Sequence, residues 1–139
     1  MKNKTVFDVN IWISYFIKAK TEQIVDMIEN NNVFFYRSSE LLSELKAVIN
    51  RPKFSKYFPF GTQQFITFFE MATEFFNAEP LFISCADPKD NYLFDLALQT
   101  NSKYLVSGDK KVLETQVDKP LNVLSLTDFK KKIYNLPKE

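Results

Sequence analysis

The sequence contains no histidine. That excludes a Ser-His-Asp triad, a Cys-His pair, a histidine zinc site and a histidine general base. A single cysteine cannot form an internal disulfide, so a disulfide-stapled secreted fold is excluded as well. Charge of one sign is also lacking, with 18 basic against 17 acidic residues and a net charge of +1. The chain therefore does not coat nucleic acid by bulk electrostatics, although a local basic rim is compatible with it. No stretch approaches the ~20 apolar residues of a membrane helix. No internal repeat, low-complexity tract or linker is visible. Hydrolytic chemistry in such a chain must run on carboxylates, lysine, tyrosine, hydroxyls or a hard metal ion.

What is present is a foldable, aromatic-rich composition. The 139 residues suit one domain, expected over 1–139. A hydrophobic fraction of 45% rules out disorder over the whole length. Fifteen phenylalanines, six tyrosines and one tryptophan predict a phenylalanine-rich core. The start, Met1-Lys2-Asn3-Lys4 followed by apolar residues, superficially suggests a signal peptide. Asp8 and Asn10 interrupt the run, and no small-residue cleavage site follows. The expectation is a cytoplasmic protein with a short solvated tail at 135–139.

The pattern alternates strand and helix. Strands are predicted at 5–7, 33–36, 81–83, 104–106 and 122–124. Helices are predicted at 11–17, 22–29 (with Thr21 as N-cap), from Ser38-Ser39 to near Pro52, and at 62–76, 88–99 and 127–133. In the long helix at 62–76, Phe65, Phe68, Phe69, Ala72 and Phe76 share one stripe, read as core. Five short apolar strands alternating with helices predict an α/β fold with a central parallel sheet covered on both faces. Ligand sites in such sheets lie beyond the carboxyl ends of the strands, where strand order switches.

Acidic residues fall at those ends. Asp8 follows the first strand inside an apolar run, and a turn or cap and a site residue are equally open readings. Asp109 follows residues 104–106 after Ser107 and Gly108, where glycine permits a tight turn; capping of 110–113 is the alternative. Asp87-Pro88-Lys89-Asp90 is a strong helix start, and from the tetrapeptide alone capping is the favoured reading. Asp90 can still face the cleft while Asp87 caps. Glu44 shares a helix face with Leu41 and Val48, and is preferred to Glu40, whose place near the helix start suits the dipole. Four carboxylates brought to one sheet edge repel one another, and so raise pKa values or bind cations. Oxygen-only ligands suit Mg²⁺ or Mn²⁺, and one or two such ions are a known means of cutting a phosphodiester.

The chain resembles a PIN domain, the small nuclease fold that includes toxins of prokaryotic toxin–antitoxin pairs. The segments that carry the likeness are Val6-Phe7-Asp8-Val9-Asn10-Ile11-Trp12-Ile13-Ser14, Ser43-Glu44-Leu45 with Val48, Arg51-Pro52-Lys53-Phe54, Asp87-Pro88-Lys89-Asp90-Asn91 and Tyr104-Leu105-Val106-Ser107-Gly108-Asp109. They run in family order over nearly the whole chain. The resemblance implies a three-layer α/β/α sandwich. It implies Asp8, Glu44, Asp90 and Asp109 as the catalytic, Mg²⁺- or Mn²⁺-binding acids, with Asn10 and Ser107 in support and Asp87 as a further acid. Val9 departs from the usual Thr or Ser, removing a hydroxyl near the first carboxylate.

The resemblance further implies hydrolysis of single-stranded RNA by water activated at the metal site, an antitoxin protein partner, and a homodimer. Backbone contacts would come from Arg37, Lys46, Arg51, Lys53 and Lys110, with Lys18, Lys20, Lys56 and Lys111 beside them. Residues 51–60 interleave cations with Phe54, Tyr57, Phe58 and Phe60; stacking on bases is one reading, and covering the core is favoured for most of these rings. Two other functions stay open. One is a PIN-like module that binds RNA or protein without cutting. The other is a haloacid dehalogenase-type phosphotransferase with Asp8 as nucleophile, disfavoured because Asn10 stands where that chemistry wants a second Asp.

Overall fold

The computed structural model describes residues 2–117 and 120–135. Five strands form one sheet: β1 (Asn3–Phe7), β2 (Val33–Arg37), β3 (Thr73–Phe75), β4 (Tyr104–Val106) and β5 (Asn122–Leu124). Their spatial order is β3-β2-β1-β4-β5, and every pairing is parallel. Around them lie α1 (Val9–Ile17), α2 (Thr21–Asn30), α3 (Ser39–Ile49), α4 (Gln63–Ala72), α5 (Asn91–Gln99), α6 (Lys110–Leu113) and α7 (Leu126–Ile133). The architecture is the three-layer α/β/α sandwich that the resemblance implies, around the parallel sheet that the alternating pattern predicts. The residues after 135 in the predicted tail lie outside the described residues. No described helix is long and apolar enough to cross a membrane.

Central strands explain the apolar runs. Val6, Phe7, Leu105 and Val106 are wholly buried, because parallel strands covered on both faces have no solvent side. Phe7 sits at the centre of an aromatic cluster. Its ring lies 5.5 Å from Trp12, 4.6 Å from Phe35 and 5.4 Å from Phe129. The helix starts follow their sequence signals: Ser38 accepts from the Leu41 amide and Ser125 from that of Asp128. Thr21 is an exception. It is the first residue of α2 rather than its cap, and Lys20 before it makes no side-chain capping bond.

Two predicted elements are corrected. The helix expected over 62–76 stops at Ala72, and its last residues become edge strand β3, paired with β2 through Thr73 and Phe35. Arg37 makes the switch possible. Its guanidinium donates to the carbonyls of Glu70 and Thr73 at 2.9 and 2.7 Å, satisfying the backbone where the helix ends. Phe69 and Ile66 carry the buried face of α4, while Phe65, Phe68, Ala72 and Phe76 are only half-buried. The strand expected at 81–83 does not form. The amides of Leu81 and Phe82 instead donate to the Asp95 carboxylate at 2.9 and 2.7 Å, and Leu81 and Ile83 face solvent. A side chain thus takes the donors that a sheet partner would have used.

The aromatic cluster predicts a measurable cost. Phe7→Ala should lose about 3–5 kcal/mol of unfolding free energy in urea, since it removes the ring the other aromatics pack on. A loss well below 1 kcal/mol would mean that the cluster does not hold the sheet.

Candidate metal centre

Strand order determines where the site lies. The chain proceeds from β1 to β2 and β3 on one side, then crosses to β4 and β5 on the other. The switch point is therefore the seam between β1 and β4, where Phe7 lies opposite Val106. The next residues leave the sheet side by side. Asp8 donates its backbone N–H to the Val106 carbonyl at 2.9 Å. Its carboxylate is buried and held at both oxygens. Oδ1 accepts from the Val9 amide at 2.7 Å, and Oδ2 accepts from the Ser107 hydroxyl at 2.7 Å. Ser107 is wholly buried, and its oxygen also accepts from the Asp109 amide at 3.0 Å. One hydroxyl thus fixes the first carboxylate and the turn that carries the last.

The other acids arrive on helices. Asp90 ends a 3-10 turn (Pro88–Asp90) that leads into α5, which packs on β1, β2 and β4. Glu44 lies on α3, on the exposed side of the buried residues Leu41, Leu45 and Val48. Asp8, Glu44, Asp90 and Asp109 together line one cavity of about 140 Å³, with Asn10, Arg51, Lys89 and Tyr92 also in its wall. Asp87 is not in that wall. It accepts from the Lys89 amide at 3.3 Å, and its carboxylate lies 3.6 Å from the Lys89 ammonium. Asp109 does double duty, since it also accepts from the Lys111 amide at 2.9 Å and caps α6.

The proposed nucleic-acid contacts separate. Arg51 lines the acidic cavity. Arg37 is engaged in joining α4 and β3 to β2. Lys46 and Lys53 are exposed outside the cavity wall, the latter 5.0 Å from the Phe54 ring centre, and Lys110 pairs with Glu114 at 3.8 Å. Of the rings in 51–60, Phe58 is buried and Phe54 half-buried, whereas Tyr57 and Phe60 are 43% and 94% exposed. Lys89 and Tyr92 were not singled out from the sequence. The signal for Lys89 was its place between the two acids of Asp87-Pro88-Lys89-Asp90. Tyr92 reads as an ordinary half-buried helix residue.

The electrostatics favour a cation. Burial pushes the Asp8 carboxyl above its usual range, with Asp109 and Glu44 adding repulsion and the hydrogen bond from Ser107 opposing it. Asp90 is pushed up to about 6, first by burial and then by Asp8, Asp87 and Asp109. Its Oδ2 is buried without a hydrogen-bond partner. Tyr92 is held in its protonated form by burial and by the carboxylates around it. Among the described residues, no three acidic side chains are already drawn together as a finished cation cage. The four carboxylates nevertheless suit a hard divalent ion: they offer only oxygen, one of those oxygens is orphaned, and all four line one small cavity.

A parallel sheet with an acidic cavity at its switch point places the chain among small α/β proteins with carboxylate-based site chemistry. The PIN domain family model matches residues 4–111, and the chain belongs to the PIN domain family. PIN domains are generally nucleases and usually use divalent metals. An uncharacterized protein of Methanocaldococcus jannaschii is 26% identical over 117 residues, which cover 81% of this chain and 75% of that protein.

The raised carboxyls make stability depend on pH. An acid with a raised folded-state pKa favours folding at low pH, and that contribution is lost as pH rises from the unfolded value toward the folded one. For Asp90 the window runs from 3.8 to about 6. In metal-free buffer, Asp90→Asn should raise the melting midpoint at pH 7 by a few degrees and make little difference at pH 4. A lower midpoint at pH 7 would show that ionised Asp90 is stabilising without a cation.

Proposed function

We propose that this chain is a metal-dependent endoribonuclease that hydrolyses single-stranded RNA, and that it is the toxin of a toxin–antitoxin pair acting in the cytoplasm. The observation that carries the reading is the meeting of four carboxylates, from four separate parts of the chain, in one cavity at the sheet's switch point. We assign Asp8, Glu44, Asp90 and Asp109 as the ligands of one or two Mg²⁺ or Mn²⁺ ions. When bound, these ions supply Lewis-acid stabilisation of the phosphodiester and lower the pKa of the attacking water.

The chain's own residues have distinct parts in this reading. The Val9 amide and the Ser107 hydroxyl hold Asp8 in one orientation, so its charge is positioned before substrate arrives. Asn10 adds a polar group to the wall. Arg51 and Lys89, the two cations of the cavity wall, offset the negative charge that a phosphate brings into an acidic site. Tyr92 stays protonated, because burial, and then the carboxylates around it, oppose its ionisation. The absence of histidine fits water-mediated hydrolysis, since metal-free RNA cleavage through the 2′-hydroxyl usually draws on histidine acid–base pairs. An antitoxin, or a second copy in a homodimer, would find exposed apolar side chains at Phe75, Leu81 and Ile83.

Purified protein should cut labelled single-stranded RNA with Mn²⁺ or Mg²⁺, stop in EDTA, and lose about a hundredfold or more in rate as Asp8→Asn. Cutting that persists in EDTA would contradict the reading. RNA binding without cutting, in the presence of saturating metal, would point to an interaction module.

A further inference from the structure

A second, larger cavity adjoins the acidic one. It measures about 360 Å³ and shares two wall residues, Lys89 and Tyr92, with the acidic cavity. Its remaining wall comes from the start of α3, the segment around residues 78–82 and the start of α5. Pro80, Phe82 and Tyr92 give it flat apolar surface, while Asn91, Lys89 and Glu40 bring polar groups.

This cavity is built rather than left over between loose loops. The segment around 78–82 is pinned to α5 at several points. Asp95 accepts from the Leu81 and Phe82 amides, and Gln99 exchanges two hydrogen bonds with the Glu79 backbone at 2.8 and 2.7 Å. The Phe82 ring stacks on Phe94 with centres 4.6 Å apart and planes 15° from parallel. Asn91 accepts from the Cys85 amide through Oδ1, which fixes its amide and turns Nδ2 into the available donor. A preformed pocket with aromatic walls and a few fixed polar groups is what a small planar ligand needs.

We propose that this cavity receives a nucleobase of the strand being cut, next to the phosphate presented to the acidic cavity, and that it gives the enzyme its base preference. The inference rests on the nuclease reading. A strand with its phosphate in the acidic cavity has a neighbouring base beside Lys89 and Tyr92, the two residues that face both spaces. Aromatic and proline surfaces accept the face of any base, whereas Asn91 Nδ2 as donor and Glu40 as acceptor read its edge.

The test is sequencing of cleavage ends from a random-sequence RNA pool, run with Mn²⁺ on wild type, Ala78→Trp and Phe82→Ala. Ala78→Trp fills the cavity from a position outside the acidic wall, and Phe82→Ala removes an aromatic surface from its wall. Mn²⁺ calorimetry on each variant checks that it is folded. The wild type should favour one base by about tenfold at one position flanking the cut, a discrimination within reach of a single pocket. Both variants should lose most of that preference while binding Mn²⁺ as tightly as wild type. No preference in wild type, or an unchanged one in a Mn²⁺-binding variant, overturns the proposal. If wild type cuts no RNA, the nuclease reading has failed, and titration with the four nucleoside 5′-monophosphates by NMR judges the cavity by itself. Saturable shifts at the Ala78 and Asn91 amides that vanish in Ala78→Trp would sustain a base site; none would overturn it.

Discussion

The structure turns on a carboxylate held out of water at the seam of its sheet. Asp8 leaves the central strand at the one seam where the sheet reverses its order, and there it is packed away from water. Burial opposes its charge, and Asp109 and Glu44 oppose it further. Two hydrogen bonds, from its neighbour's amide and from Ser107 on the adjacent strand's exit, hold it in place. The first bond is local, but the bond from Ser107 requires β1 and β4 to be parallel neighbours in one register, which in turn requires the aromatic layers that cover the sheet. The site is in this sense a consequence of the fold's connectivity.

Capping a helix and lining the acidic cavity prove to be compatible. Asp8 begins α1, Asp109 begins α6, and each still lines the acidic cavity. A carboxylate at a helix start is stabilised by the backbone amides there, which helps to keep it charged near other acids. Asp87 differs: it caps the turn before α5, pairs with Lys89 and stands outside the cavity wall. It acts on the site through charge, as one of the groups that hold Asp90 upward.

Much of this was legible in the sequence because the signals were local. Central strands read as unbroken apolar runs, and Asp8 and Asp109 follow two of them at positions that a parallel sheet brings together, while Glu44 and Asp90 arrive on α3 and on the turn before α5. The edge strand was not legible. The aromatic stripe of α4 continues at helical spacing to Phe76, and only the pairing with β2, secured by Arg37, turns Thr73–Phe75 into a strand. Residues 81–83 have strand-like composition, but the Asp95 carboxylate, more than ten positions away, takes their amides. The bonds from Arg37 to the end of α4 depend on a helix end visible only in three dimensions. Tyr92 carries no local mark of the two cavities it lines, whereas Lys89 is marked by its place between Asp87 and Asp90.

The central claim is that the four acids form a cation site. Calorimetric titration of Mn²⁺ into wild type and Asp8→Asn, each shown to be folded, tests it most directly. The account predicts saturable binding to wild type that tightens as pH rises toward about 6, where Asp90 gives up its proton, and that is lost or greatly weakened in the variant. Absence of binding to wild type, or equal binding to both proteins, would contradict it and leave these carboxylates as caps and turns alone.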